Sequence, residues 1–125
     1  MLAMAELEDV LGEMHRINDR MLVVVGGHDE ERNRQIVELR QEFSAETGNL
    51  INLLPSEERL VTKPDLFVEF QDRLSNVRRK LASHQTKWSI EDIDANRDDY
   101  LDATRAVHGS IEEYLSWARG SLTEH

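Results

Sequence analysis

Two short stretches carry residues whose types and spacing could do chemistry. The first is DIDANRDDYLDATR, Asp92 to Arg105. Counted from Asp94, Asp94, Asn96, Asp98 and Asp102 fall on the first, third, fifth and ninth places. Tyr100 stands at the seventh, where a backbone carbonyl would serve, and apolar Leu101 at the eighth. Hard divalent cations such as calcium take oxygen sets of this kind. A calcium loop also needs a left-handed residue at its sixth place, which glycine supplies freely, and a bidentate glutamate at its twelfth. Here those places hold Asp99 and Arg105, and a guanidinium at the bidentate position opposes a bound cation. The acids read better as the capped start of a helix, where free N–H groups and the positive dipole end favour carboxylates. No metal ligand is assigned, and a degenerate calcium-binding loop at 94–105 ranks last among the functional readings.

Over those twelve residues the stretch resembles an EF-hand loop without its turn residue or its bidentate grip, and no second loop of the kind occurs. The second stretch is ASHQTKW, Ala82 to Trp88. His84 and Lys87 stand one helical turn apart, so an ammonium could steady a phosphate carried on the imidazole. This H-x-x-K spacing resembles histidine-containing phosphotransfer domains, which are four-helix bundles of about this length. The resemblance implies His84 as phosphate acceptor and Lys87 as its partner. Trp88 departs from the family's small glycine at that place, and the helix phase sets His84 on an apolar stripe. The residues themselves therefore read as a histidine at the edge of a core, with phosphotransfer as the alternative.

Other chemistries lack their residues. There is no cysteine, hence no thiolate nucleophile, thiolate metal site or disulfide. No E-x-x-H pair supports a di-iron bundle, no G-x-S-x-G supports a serine hydrolase, and the glycines of VVGGHDEERN are followed by no phosphate-loop lysine. An enzyme is not expected, and no cofactor is implied.

The elements that must position these residues follow from apolar periodicity. Four stripes run at helical spacing, and no stretch alternates as a strand. Leu7, Val10, Met14, Ile17, Met21 and Val24 make the first, ending at Gly26-Gly27. The run MLVVV keeps that phase and is read as helix. Asp29 is expected to cap the second, whose stripe is Ile36, Leu39, Phe43, Thr47, Leu50, Leu53 and Leu54, stopped by Pro55. Residues 55 to 62 read as the one loop of any length. The third, capped by Thr62 with Pro64 in its first turn, carries Phe67, Phe70, Leu74, Val77, Leu81, His84 and Trp88. Ser89 and Asp92 form a second capping pair. The last stripe is Leu101, Thr104, His108, Ile111, Leu115 and Ala118, with Gly120 as terminator. Helices are expected over about 3–25, 30–54, 63–88 and 95–120. Connections of a few residues make neighbours antiparallel, so the expected fold is an all-α, up-and-down four-helix bundle in a single domain. The alternative is a helical hairpin that dimerises through the same seams.

The chain of 125 residues has 15 basic and 25 acidic side chains, a net charge of −10. That balance opposes binding to nucleic acid or to anionic membranes. The start, MLAMAELEDV, is acidic and does not resemble a signal peptide, so the cytoplasm is expected. Charge is uneven: Arg73, Arg78, Arg79, Lys80 and Lys87 make the third helix basic. Tyr114 and Trp117 widen the apolar arc of the last helix, which suits burial on two sides. The chain therefore reads as a non-enzymatic module that binds another protein, of adaptor, regulator or export-chaperone type, or that pairs with a second copy. Tyr114, Trp117 and Leu122 are the expected partner-binding residues, by helix-face or helix-in-groove recognition.

Overall fold

The computed structural model describes residues 2–27 and 30–123. The fold is all-α. Among the described residues the elements are α1 (Leu2–Val25), α2 (Arg32–Leu53), a 3₁₀ turn (Leu54–Ser56), α3 (Glu58–Val61), α4 (Pro64–Lys87), α5 (Ile90–Ala95) and α6 (Arg97–Thr123). None of the described helices is long and apolar enough to cross a membrane.

The stripes become the buried faces. In α1, Leu7, Leu11, Met14, Ile17, Val24 and Val25 are buried, while Val23 is 65% exposed. The valine run thus follows a 3.6-residue phase, not the alternation of a strand. In α2 the stripe from Ile36 to Leu54 is interrupted by a polar residue, Thr47. Its buried hydroxyl donates to the Phe43 carbonyl at 2.8 Å, so the polar atom costs little there.

Several ends differ from expectation. Asp29, the expected cap of α2, lies outside the described residues. Glu31 holds the cap position and makes no side-chain capping bond. Helix α1 stops before Gly26, yet neither Gly26 nor Gly27 adopts a positive φ. Arg97 caps this end instead: its Nη2 donates to the Gly27 carbonyl at 2.9 Å and the Gly26 carbonyl at 3.4 Å. A cation is well placed at the negative end of a helix. Thr62 does not cap α4. Its hydroxyl donates back to the Glu58 carbonyl, and Lys63 takes the cap position before Pro64. Gly120 does not terminate α6, which continues through Leu122 to Thr123. Leu122 is only 2% exposed, and that burial outweighs the poor helix propensity of glycine.

The largest correction is the expected loop at 55–62, which is the 3₁₀ turn and α3. Leu54 and Leu60 enter the core. Glu57 is 1% exposed, its carboxylate gripped by Arg59 through Nε and Nη2, both at 3.0 Å. Arg59 also reaches Glu8 of α1 at 2.8 Å and the Leu122 carbonyl at 3.5 Å. The Arg59 hydrogen bonds hold the Glu57 carboxyl below its ordinary range.

Helix α1 packs against α2 and α6, and α6 also packs against α4. His15 meets Glu112 and Asn18 meets His108, so α1 and α6 run antiparallel. Arg73 meets Trp117 and Lys80 meets Ser110, so α4 and α6 do too. The seams a dimerising hairpin would have used are filled within the chain.

Replacing Arg59 with Met should leave the buried Glu57 carboxylate without its guanidinium, held only by the backbone N–H of residue 59, at a cost of about 3 kcal/mol. Because the Glu57 pKa is lowered in the fold, its stabilisation is present at neutral pH and lost as the carboxylate titrates on acidification. Urea unfolding at pH 7 and pH 4 checks both points: the gap between wild type and Arg59→Met should be wide at pH 7 and narrower at pH 4.

Candidate functional site

The expected partner-binding arc is largely inside the molecule. Tyr114 and Leu122 are 3% and 2% exposed. Phe70 of α4 packs edge-on against Tyr114 and lies 4.9 Å from the Trp117 ring, centroid to centroid. Trp117 keeps a partly open face, and the Arg73 guanidinium lies 4.3 Å from its ring centroid. The wide apolar arc of α6 is therefore covered by α4 and the Arg59 corner. The burial of that arc comes from elements of the same chain. Burial also pushes the Tyr114 hydroxyl pKa up, and its Oη has no hydrogen-bond partner among the described residues.

His84 turns inward. Its ring stacks on Tyr100 with centroids 5.6 Å apart and planes 16° apart, and Nε2 lies 3.4 Å from the Thr104 hydroxyl. Burial, helped by the positive charge of Arg40, pulls its pKa down to about 4. Lys87 is exposed, with Nζ 5.7 Å from the Trp88 ring centroid. The pair thus does not share one open, phosphate-accepting face.

The acids at 94–105 are not a loop. Asp94 lies in α5, Asp98 and Asp102 lie in α6, and a break at Asn96 separates the two helices. Asp94 pairs with Arg32, whose side chain is 8% exposed. With Arg97 on the end of α1, this segment fastens both sides of the α1–α2 connection.

A more open feature lies elsewhere. Close neighbours run in the order α2, α1, α6, α4, so α2 and α4 are the free ends of that series. Between them is a groove of about 630 Å³. Ser44, Gly48 and Ile51 line it from α2, and Ser75, Arg79 and Ala82 from α4. Ser44, Gly48, Ser75 and Ala82 contribute short side chains or none, while Arg40, Ile51, Arg78, Arg79, Leu81 and Gln85 line it with longer ones. Arg40 closes one end by donating to the Trp88 carbonyl at 2.9 Å. Arg40, Leu81 and Gln85 line both this groove and an inner cavity of about 40 Å³, next to His84 and Tyr100. That cavity could hold only a water or two, not an organic ligand. Arg78 and Arg79 border the groove and make no ion pair or hydrogen bond among the described residues.

Sequence reasoning identified the basic face of α4 but not the groove. Its signal was present: Ser44 and Gly48 are four apart, and Ser75 and Ala82 seven apart, each pair on one helical face. Comparison with protein-family models, curated proteins and solved structures gave no match.

Two variants check the site's internal chemistry. Tyr114→Phe removes a buried hydroxyl that lacks a partner and should stabilise the fold by about 1 kcal/mol in thermal unfolding. His84 stays neutral in the fold down to pH about 4, whereas the unfolded chain takes up the proton near its ordinary 6.5. Stability should therefore fall as pH drops from about 6.5 to about 4, by an amount on the order of 1 kcal/mol after solvent screening. His84→Gln should flatten that part of the pH profile.

Proposed function

We propose that this chain is a non-enzymatic protein-binding module, and that its α2–α4 groove receives an amphipathic helix bearing acidic residues. One observation carries the reading: an open groove walled in part by small residues, bordered by two arginines that have no ion pair among the described residues, in a chain of net charge −10. Small residues let a partner backbone approach closely, and helix-in-groove recognition needs such a trough beside an apolar strip. Ile51, 37% exposed, supplies apolar surface there. Arg78 and Arg79 would steer a carboxylate-rich helix into register, while the acidic remainder of the surface repels the same ligand elsewhere. We place the module in the cytoplasm, on its lack of cysteine and its acidic surface, in an adaptor, regulator or export-chaperone role. A second copy of the chain is the other occupant to distinguish.

Gly48→Phe tests the reading by filling the groove. A Cβ at Gly48 meets nothing within 4 Å, so the fold should accept the substitution. Affinity capture from native lysate should retain a partner with the wild type and lose it with Gly48→Phe and with the charge reversal R78E/R79E. A capture profile unchanged in both variants would overturn the groove as the binding surface. Light scattering that shows a dimer only in the wild type would identify the occupant as a second copy.

A further inference from the structure

Helices α1 and α6 bring together a cluster of side chains that the groove does not use. His15 and Asp19 stand four apart on α1, and His108 and Glu112 four apart on α6. Because the helices are antiparallel, the two pairs interlock. Nδ1 of His15 lies 2.9 Å from Glu112 Oε1 and 3.0 Å from Oε2. Nε2 of the same ring lies 3.3 Å from Asp19 Oδ2. His108 Nε2 lies 2.9 Å from Asp19 Oδ1, and Asn18 Nδ2 donates to Glu112 Oε2 at 3.0 Å. One donor atom from each of His15, Asp19 and Glu112 falls within 4.8 Å of the others, the sole such group among the described residues.

The two ring nitrogens of His15 each face a carboxylate. A neutral imidazole carries one N–H, so one nitrogen must then point a lone pair at negative oxygen. The contact becomes attractive only if a positive charge lies between them, either a second ring proton or a metal ion. The geometry suits an ion. Bonds of about 2.0–2.2 Å in a tetrahedral shell set donor atoms roughly 3.3 Å apart, the spacing of His15 Nε2 and Asp19. His108 and Asn18 each hold one of the two carboxylates in place. His15 and Asp19 side chains are 39% and 54% exposed, so an ion can enter from solvent.

We propose that His15, Asp19 and Glu112 form a site for a zinc-class divalent cation that bridges α1 and α6, with His108 and Asn18 orienting its carboxylates. One imidazole with two carboxylates favours zinc and its neighbours over calcium, which takes oxygen donors alone. Three protein donors leave a fourth position open to water or to a partner's side chain.

The test is calorimetric titration of the chelator-stripped full chain with zinc chloride at neutral pH, alongside thermal unfolding with zinc, with calcium and after chelator addition. One zinc per chain is expected, with a rise in Tm that chelator reverses and calcium does not reproduce. Asp19→Asn, an exposed position whose substitution leaves the core intact, should weaken binding at least about tenfold, as should His15→Gln and Glu112→Gln; His108→Gln should cost about tenfold through the loss of orientation. His84→Gln, outside the cluster, should bind as the wild type does. Absence of binding in excess zinc, or binding that survives both Asp19→Asn and His15→Gln, would overturn the site.

Discussion

The structure depends first on α6 being buried from two sides. Tyr100, Thr104, Ile111, Tyr114, Leu115, Ala118 and Leu122 are all buried along one helix. Ala118 is wholly inaccessible, and Phe70 fills the space beside Tyr114 and Trp117. With α1 against one side of α6 and α4 against the other, α2 attaches through α1. The groove between α2 and α4 follows from this order: they are the two ends of the series, and Ser44, Gly48, Ser75 and Ala82 line the gap between them.

The ends of the core are held by charged groups. At one end Arg59 joins the buried Glu57 to Glu8 of α1 and to the last turn of α6. At the other, Arg32 pairs with Asp94 and Arg97 caps α1. Each of these arginines links segments distant in sequence or satisfies backbone carbonyls that a helix end leaves open. Arg59 and Arg32 are shielded from water, where charged hydrogen bonds are stronger and their loss costs more. Arg78 and Arg79 contrast with them. They are exposed and pair with no acid among the described residues.

Much of the fold was legible from local pattern. The stripes of α1, α2 and α4 matched the buried faces, and Pro64 marked the start of α4. The segment 92–105 was read correctly as an acidic start to a helix: Asp98 and Asp99 lie in the first turn of α6. What this reading missed was the division of labour inside it. Asp94 and Arg97 serve the α1–α2 connection, through residues 62 and 70 positions away in the chain. Local propensity has no access to such partners. The same limit explains Gly120 and α3. Glycine argues for a helix stop, and a short acidic stretch after proline argues for a loop. Burial of Leu122 and Leu60 overrode both.

The sequence by itself determined the all-α class and the phase of each long helix, which set His84 on an apolar stripe. These are properties of residues within a few turns of one another. Only the tertiary structure decided which helix covers which face. It placed Tyr114 and Leu122 in the core, left a groove between α2 and α4, and brought His15 within reach of Glu112, 97 positions away. Apolar periodicity shows that a face must be buried, because water makes its exposure unfavourable. It does not say what buries it, since any apolar neighbour satisfies the same requirement, and that choice is made by the packing of the whole chain.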